Sequence, residues 1–169
     1  MVCSGDAGVY GMASLMLEIG ANYPEIDVSV IPGISAAMSG AAVLGAPLNH
    51  DFCVISLSDL LTPWELIEKR LRAAGEGDFA IAIYNPSSMK RHDYLQKACD
   101  ILLESRDKTN ACGYVENIGR EGTSAVCMTL EELREAEVNM FTTVFIGNSR
   151  TKIMGNKLVT PRGYKVSNE

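Results

Sequence analysis

The sequence predicts an α/β protein made of two successive α/β units, the first of them incomplete at its N-terminus. Three observations carry that prediction. Residues 1–50 alternate short apolar strands with apolar helices. Strand-like segments recur at 52–57, 79–84 and 142–146, the second a continuous apolar run, each followed by a polar or glycine-bearing turn. From residue 52 onward the later strands are joined by loops too short for helical crossovers, so the second sheet should be mixed. The boundary falls between residues 46 and 52, dividing 1–48 from 49–169.

The elements follow in order. Met1-Val2-Cys3-Ser4 reads as the end of a buried strand. A sheet rarely begins so abruptly, so material that normally precedes it is expected to be missing. Val9, Ala13, Leu15, Met16, Leu17 and Ile19 give residues 9–21 a wide apolar helical face, broken by Asn22-Tyr23-Pro24. Residues 27–31 alternate as a short β-branched strand and Pro32-Gly33 turns the chain. Ser35 then caps a helix over 36–44, which Gly45-Ala46-Pro47 ends.

Residues 52–57 are a strand, and Thr62-Pro63-Trp64-Glu65 is a capping box opening a helix to about residue 74. A strand over 79–84 and a helix from 93 or 94 to about 106 come next. Strands over 111–115 and 124–128 precede a second capping box, Thr129 to Glu132, with a short helix. A strand over 142–146 completes the pattern, and the tail reads as irregular.

Composition narrows the function. The chain has 169 residues, 47% hydrophobic and 21% charged, enough apolar mass for a core. Its net charge of −6 argues against a general nucleic-acid binder, which needs a basic face. No apolar run reaches the roughly 18–20 residues of a bilayer span, so no membrane role is expected. The five cysteines are scattered without a C-x-x-C pair, which disfavours disulfides and zinc and suits a reducing cytoplasm. Two histidines give a metal site little to build on.

The chemistry-bearing signal is a repeated junction. Ser4-Gly5-Asp6-Ala7-Gly8-Val9-Tyr10-Gly11 and Pro32-Gly33-Ile34-Ser35-Ala36-Ala37 both run from strand to loop to helix. Such junctions set flexible backbone and unpaired helix N-terminal N–H groups along one sheet edge, where open α/β sheets bind small anionic or zwitterionic ligands. Asp6 either caps the helix or meets a ligand ammonium, or does both.

Other motifs have two readings each. His50-Asp51 is a general base or a plain interdomain loop. Tyr84-Asn85-Pro86 is an Asx-type turn or a ligand contact. Lys90-Arg91-His92 is a solvated face or a partner for a polycarboxylate. Residues 117–122 are a loop or a site loop, and Trp64 reads as packing. No G-x-S-x-G elbow supports a hydrolase, and no G-x-G-x-x-G opens a helix to support a nicotinamide enzyme.

Taken in order, Ser-Gly-Asp-x-Gly-Val-Tyr-Gly, Pro-Gly-Ile-Ser-Ala-Ala, Leu-Gly-Ala-Pro-Leu-x-His-Asp-Phe and Ile-Ser-Leu-Ser-Asp-Leu-Leu-Thr-Pro-Trp-Glu resemble the tetrapyrrole methylases. Ile-Tyr-Asn-Pro, Gly-Arg-Glu-Gly, Ile-Gly-Asn-Ser and Val-Thr-Pro-Arg-Gly-Tyr continue the likeness along nearly the whole chain. The run Ser56–Glu65 points within that family to methylation of a precorrin-3-type ring at carbon 17 with ring contraction, in cobalamin biosynthesis.

The resemblance implies two α/β domains holding S-adenosyl-L-methionine in the cleft between them, usually as a homodimer. Carried over by motif, Gly5, Asp6 and Val9 lie beside the methionine part. Ser35 and Ala36 contribute from the second junction, Asn85 contacts the adenine side, and Gly119 and Gly147 belong to loops of the second domain. His50, Asp59 or Arg120 is expected to move the proton that ring contraction needs.

Two departures mark the chain. Ala7 replaces the proline of the usual Gly-Asp-Pro, and the opening strand with its Gly-x-Gly-Pro-Gly loop is absent. The alternatives are another corrin-pathway tetrapyrrole methylase, or a non-catalytic fragment that binds a ligand or partner only.

Overall fold

The structure, a computed structural model, describes residues 1–89 and 91–164. Five helices and eight strands are assigned among them: α1 (Ala13–Gly20), α2 (Ala36–Leu44), β1 (Gly45–Ala46), β2 (Phe52–Ser56), α3 (Trp64–Glu76), β3 (Ala80–Tyr84), α4 (Tyr94–Leu103), β4 (Ala111–Glu116), β5 (Ser124–Thr129), α5 (Leu130–Arg134), β6 (Thr142–Ile146), β7 (Lys152–Met154) and β8 (Lys157–Val159). The class is α/β.

A five-stranded sheet in the order β2-β3-β6-β4-β5 organises the molecule. It is mixed: β2 and β3 run parallel, whereas β3–β6, β6–β4 and β4–β5 are antiparallel. Strand side chains alternate between faces. Ile81, Ile83, Cys112, Val144 and Ile146 point to one side, where Ile67, Leu71, Leu95, Leu102 and Leu133 from α3, α4 and α5 cover them. Ala82, Val115 and Phe145 point to the other, against Ala37, Ala41 and Leu44 of α2. Helix α2 sits close because Gly40 has no side chain: a Cβ there would lie 2.7 Å from the Phe145 ring.

Several expectations are corrected. Residues 1–4 and 27–31 form no strand, because neither finds a ladder partner among the described residues. Val2 and Ile31 are accordingly exposed. The first helix begins at Ala13 rather than at residue 9, since residues 6–10 are bent into turns that place Tyr10 at φ +53°. It buries no residue. The capping box at Thr62 does not form; Pro63 is the N-cap of α3 and no side chain bonds the first turn. The box at Thr129 does form.

The tail is not irregular throughout. Strands β7 and β8 make a hairpin, and β8 pairs in parallel with β1. Each has only three residues, too few to register as alternation. Among the described residues no helix is long and apolar enough to cross a membrane.

Candidate active site

The two glycine-bearing junctions meet. Asp6 Oδ1 accepts the Gly8 N–H at 2.8 Å and Oδ2 accepts the Gly33 N–H at 2.9 Å. These two backbone donors, Gly33 first, hold the carboxyl below the usual carboxylate range. Asp6 therefore does not cap α1, whose N-cap is Met12; it ties one junction to the other. Gly5 turns with φ +74°, a left-handed conformation suited to glycine, and faces the Ile34–Ser35 backbone.

Beside this tie lies a cavity of about 690 Å³. Gly5, Asp6, Val9, Ser35, Ala36, Asn85 and Gly119 all line it. Ser35 is the N-cap of α2, but its side chain makes no capping bond. Among the described residues the Ala36 N–H has no partner, leaving a donor at a helix N-terminus beside the cavity. Gly119 turns with φ +70° into open space.

Asn85 stands at the carboxyl end of β3 with φ +52°, and its Nδ2 donates to Ser56 Oγ at 2.9 Å, joining the ends of β3 and β2. The site thus occupies the carboxyl edge of the parallel pair, where the sheet opens between loops.

The cavity also has an aromatic wall, in which sequence reasoning offered Tyr84 as a ligand contact but gave Tyr10 no role. Tyr84 and Tyr10 also line the cavity, with ring centroids 5.4 Å apart. Tyr84 Oη accepts the Ala37 N–H at 2.7 Å, fixing the start of α2 to the end of β3. Tyr10 donates to the Val54 carbonyl at 3.3 Å. Of the two sequence readings of Tyr84-Asn85-Pro86, a turn or a ligand contact, Tyr84 and Asn85 both sit in the cavity lining. Ile118, next to Gly119, completes the wall.

The three alternatives offered for proton transfer lie apart from one another. His50 precedes β2, at the edge opposite Ser56, roughly 20 Å away by strand rise. Its Nε2 lies 3.1 Å from the Pro161 carbonyl, so it ties the tail to the sheet. Asp59 lies in the loop after β2 but lines no part of the cavity. Its Oδ2 accepts from Tyr94 Oη at 2.6 Å and its Oδ1 from Arg91 at 3.0 Å, which together keep the carboxyl depressed. Arg91 also donates to Ser58 and Ser88, so this member of the basic cluster is a loop clamp. Lys90 lies outside the described residues.

Arg120 is exposed in a recess adjoining the cavity. Gly147 sits at the opposite sheet edge, its carbonyl accepting from Arg106 and Asn110. Trp64 packs on Tyr94 with centroids 4.6 Å apart.

Comparison with known proteins follows the same lines. The family model for Tetrapyrrole (Corrin/Porphyrin) Methylases matches residues 1–134. A Salmonella typhimurium protein named probable cobalt-factor III C(17)-methyltransferase is 46% identical over 165 residues, covering 97% of this chain and 68% of its own length. Its namesake from Methanocaldococcus jannaschii is 49% identical over 173 residues, covering 97% and 69%. The crystal structure of the methyltransferase CobJ superposes with a TM-score of 0.86 at 38% identity, over 95% of this chain and 68% of that one. A Thermus thermophilus uroporphyrin-III C-methyl transferase, solved with S-adenosyl homocysteine, shares the fold at 22% identity and a TM-score of 0.60, over 85% and 60%.

Proposed function

We propose that this chain, which belongs to the tetrapyrrole (corrin/porphyrin) methylases, transfers a methyl group from S-adenosyl-L-methionine to carbon 17 of a cobalt-factor III or precorrin-3-type macrocycle. The observation that carries the reading is the convergence of two glycine-bearing junctions, the β3 end and the 117–119 loop on one cavity.

The residues fit such a cofactor. A cavity of about 690 Å³ is within the range of cofactor sites. Asp6 is held ionised, and each of its oxygens receives one protein N–H, leaving lone pairs for a ligand ammonium. Ala36 offers a backbone donor, and Gly119 leaves space beside Asn85 for a flat ring. Asp6 with Gly5 and Val9 would hold the amino-acid part, and Asn85 with Gly119 the adenosine part.

When bound, the cofactor supplies a methyl group activated on a sulfonium sulfur. The protein's contribution is orientation. Rigid loops that hold donor and acceptor carbons about 3–3.5 Å apart and in line supply several kcal/mol of rate enhancement. The Asp6 tie, the Tyr84–Ala37 bond and the Asn85–Ser56 bond each fix one wall of that cleft. A site that works by positioning needs no nucleophile.

The acceptor is proposed from the C(17)-methyltransferase names borne by relatives at 46% and 49% identity. A homodimer in the cytoplasm belongs to the same proposal, supported by the family likeness and by five free cysteines. Sedimentation velocity tests the dimer. The reaction is tested by incubating the protein with methyl-labelled S-adenosyl-L-methionine and cobalt-factor III. Label at carbon 17 supports the reading. Label on a different pathway intermediate alone reassigns the acceptor. Binding of S-adenosyl homocysteine without any transfer would make the chain a binding module.

A further inference from the structure

We infer that the recess carrying Arg120 is an anchoring subsite for a carboxylate of the acceptor; the inference rests on the methyl-transfer reading above. The recess has a volume of about 220 Å³ and opens beside the cofactor cavity, sharing Ser4, Ala36, Tyr84, Asn85 and Ile118 with it. Arg120 and Thr143 belong to the recess alone.

Both carry unused donors. Among the described residues Arg120 forms no ion pair, in contrast to Arg72, Arg91, Arg106 and Arg134. Its guanidinium instead lies over the Phe141 ring, 5.1 Å from the centroid. The loop beneath is fixed: the Arg120 N–H donates to the Asn117 carbonyl at 2.9 Å. Thr123 Oγ1 bonds the carbonyls of Asn117 and Arg120 at 2.8 and 2.7 Å. Thr143 is 6% exposed, yet its hydroxyl makes no hydrogen bond among the described residues.

A cation held by stacking and a hydroxyl with no protein partner among the described residues, both lining one small recess, fit a single carboxylate. A guanidinium presents paired N–H donors in the geometry a carboxylate accepts. The cofactor has a carboxylate of its own, but Asp6 marks the amino-acid end, and none of Gly5, Asp6 and Val9 lines the recess, whereas Asn85 does. The carboxylate is therefore the macrocycle's. Arg120 acts as a positioning residue: it sets which edge of the ring faces the methyl donor. Arg120 is one of three alternatives that the sequence offered for proton transfer; a guanidinium, which carries donors and no acceptor, suits the anchoring role better.

The test uses the whole chain with an octacarboxylate porphyrin, uroporphyrin, followed by its visible absorption, and S-adenosyl homocysteine, followed by calorimetry. Arg120→Gln and Thr143→Val should each weaken porphyrin binding, the former roughly tenfold, as loss of a charge-assisted bond implies. Arg120→Lys should restore part of the loss, and added salt should narrow the gap between Arg120→Gln and the unsubstituted chain. In turnover the same substitution should raise KM far more than it lowers kcat. Affinity for S-adenosyl homocysteine should change less than twofold. Unchanged porphyrin affinity in Arg120→Gln overturns the inference. A loss confined to S-adenosyl homocysteine overturns it too, by giving the recess to the cofactor. Failure of the unsubstituted chain to bind S-adenosyl homocysteine defeats the cofactor reading instead, and the porphyrin titration still decides whether Arg120 anchors a carboxylate.

Discussion

The Asp6 carboxylate receives the Gly33 N–H at 2.9 Å, across 27 residues of sequence. That bond joins two loops that share no strand pairing, and it forms one wall of the cavity. Asp6→Ala removes the acceptors of both Gly8 and Gly33. Affinity for S-adenosyl homocysteine should fall roughly tenfold or more, as expected for loss of hydrogen bonds to a charged group. The sign of the pH effect follows from the depressed pKa. The tie is complete above the ordinary carboxylate value of 3.8 and is lost as pH falls through the lower folded value. The Gly33 amide resonance should therefore titrate with a midpoint below 3.8.

Tyr84 connects the sheet to α2 through its hydroxyl. Tyr84→Phe keeps the ring and orphans the Ala37 N–H, so urea unfolding should show a loss of about 1 kcal/mol. An unchanged midpoint would mean that the bond contributes nothing.

Arg106 is the buried polar hub of the opposite edge. Its guanidinium bonds the carbonyls of Ala74, Phe79 and Gly147, with Asp78 3.7 Å away. Arg106→Met fills much of the volume but takes one donor from each of these carbonyls, although Gly147 keeps Asn110 and Ala74 keeps the Phe79 N–H, at a cost of roughly 3 kcal/mol. Binding at the distant cavity should be retained by whatever fraction remains folded.

The two capping-box sequences should respond oppositely. Thr129→Ala loses a formed box and should cost about 1 kcal/mol. Thr62→Ala should be close to neutral, because Pro63 caps α3 and Thr62 makes no capping bond.

Much of the second unit was legible because its central strands β3, β4 and β6 are buried on both faces. Residues 80–84 read as an unbroken apolar run and 142–146 as a β-branched and aromatic one, and the structure places β3 and β6 there. The hairpin of β7 and β8 was not, since three-residue strands carry no period. Residues 27–31 have strand composition, but composition supplies no ladder partner. The cavity-lining loops were visible through glycine and Asp6, whose roles depend on local backbone. The proton-transfer assignments depended on register, which sequence does not display. His50 and Ser56 are six residues apart and fall at opposite edges of the sheet. Asp59 shares the right edge but is claimed by Tyr94 and Arg91.

One cavity, walled by the Gly5–Asp6 and Ser35–Ala36 junctions, is proposed to hold the methyl donor. Amide shift mapping of the isotope-labelled chain during titration with S-adenosyl homocysteine tests it most directly. Saturable shifts are expected at Gly5, Gly33, Ala36, Asn85 and Gly119, with His50 and Gly147 unmoved. Shifts centred on the Arg106 edge, or none at millimolar ligand, would contradict it.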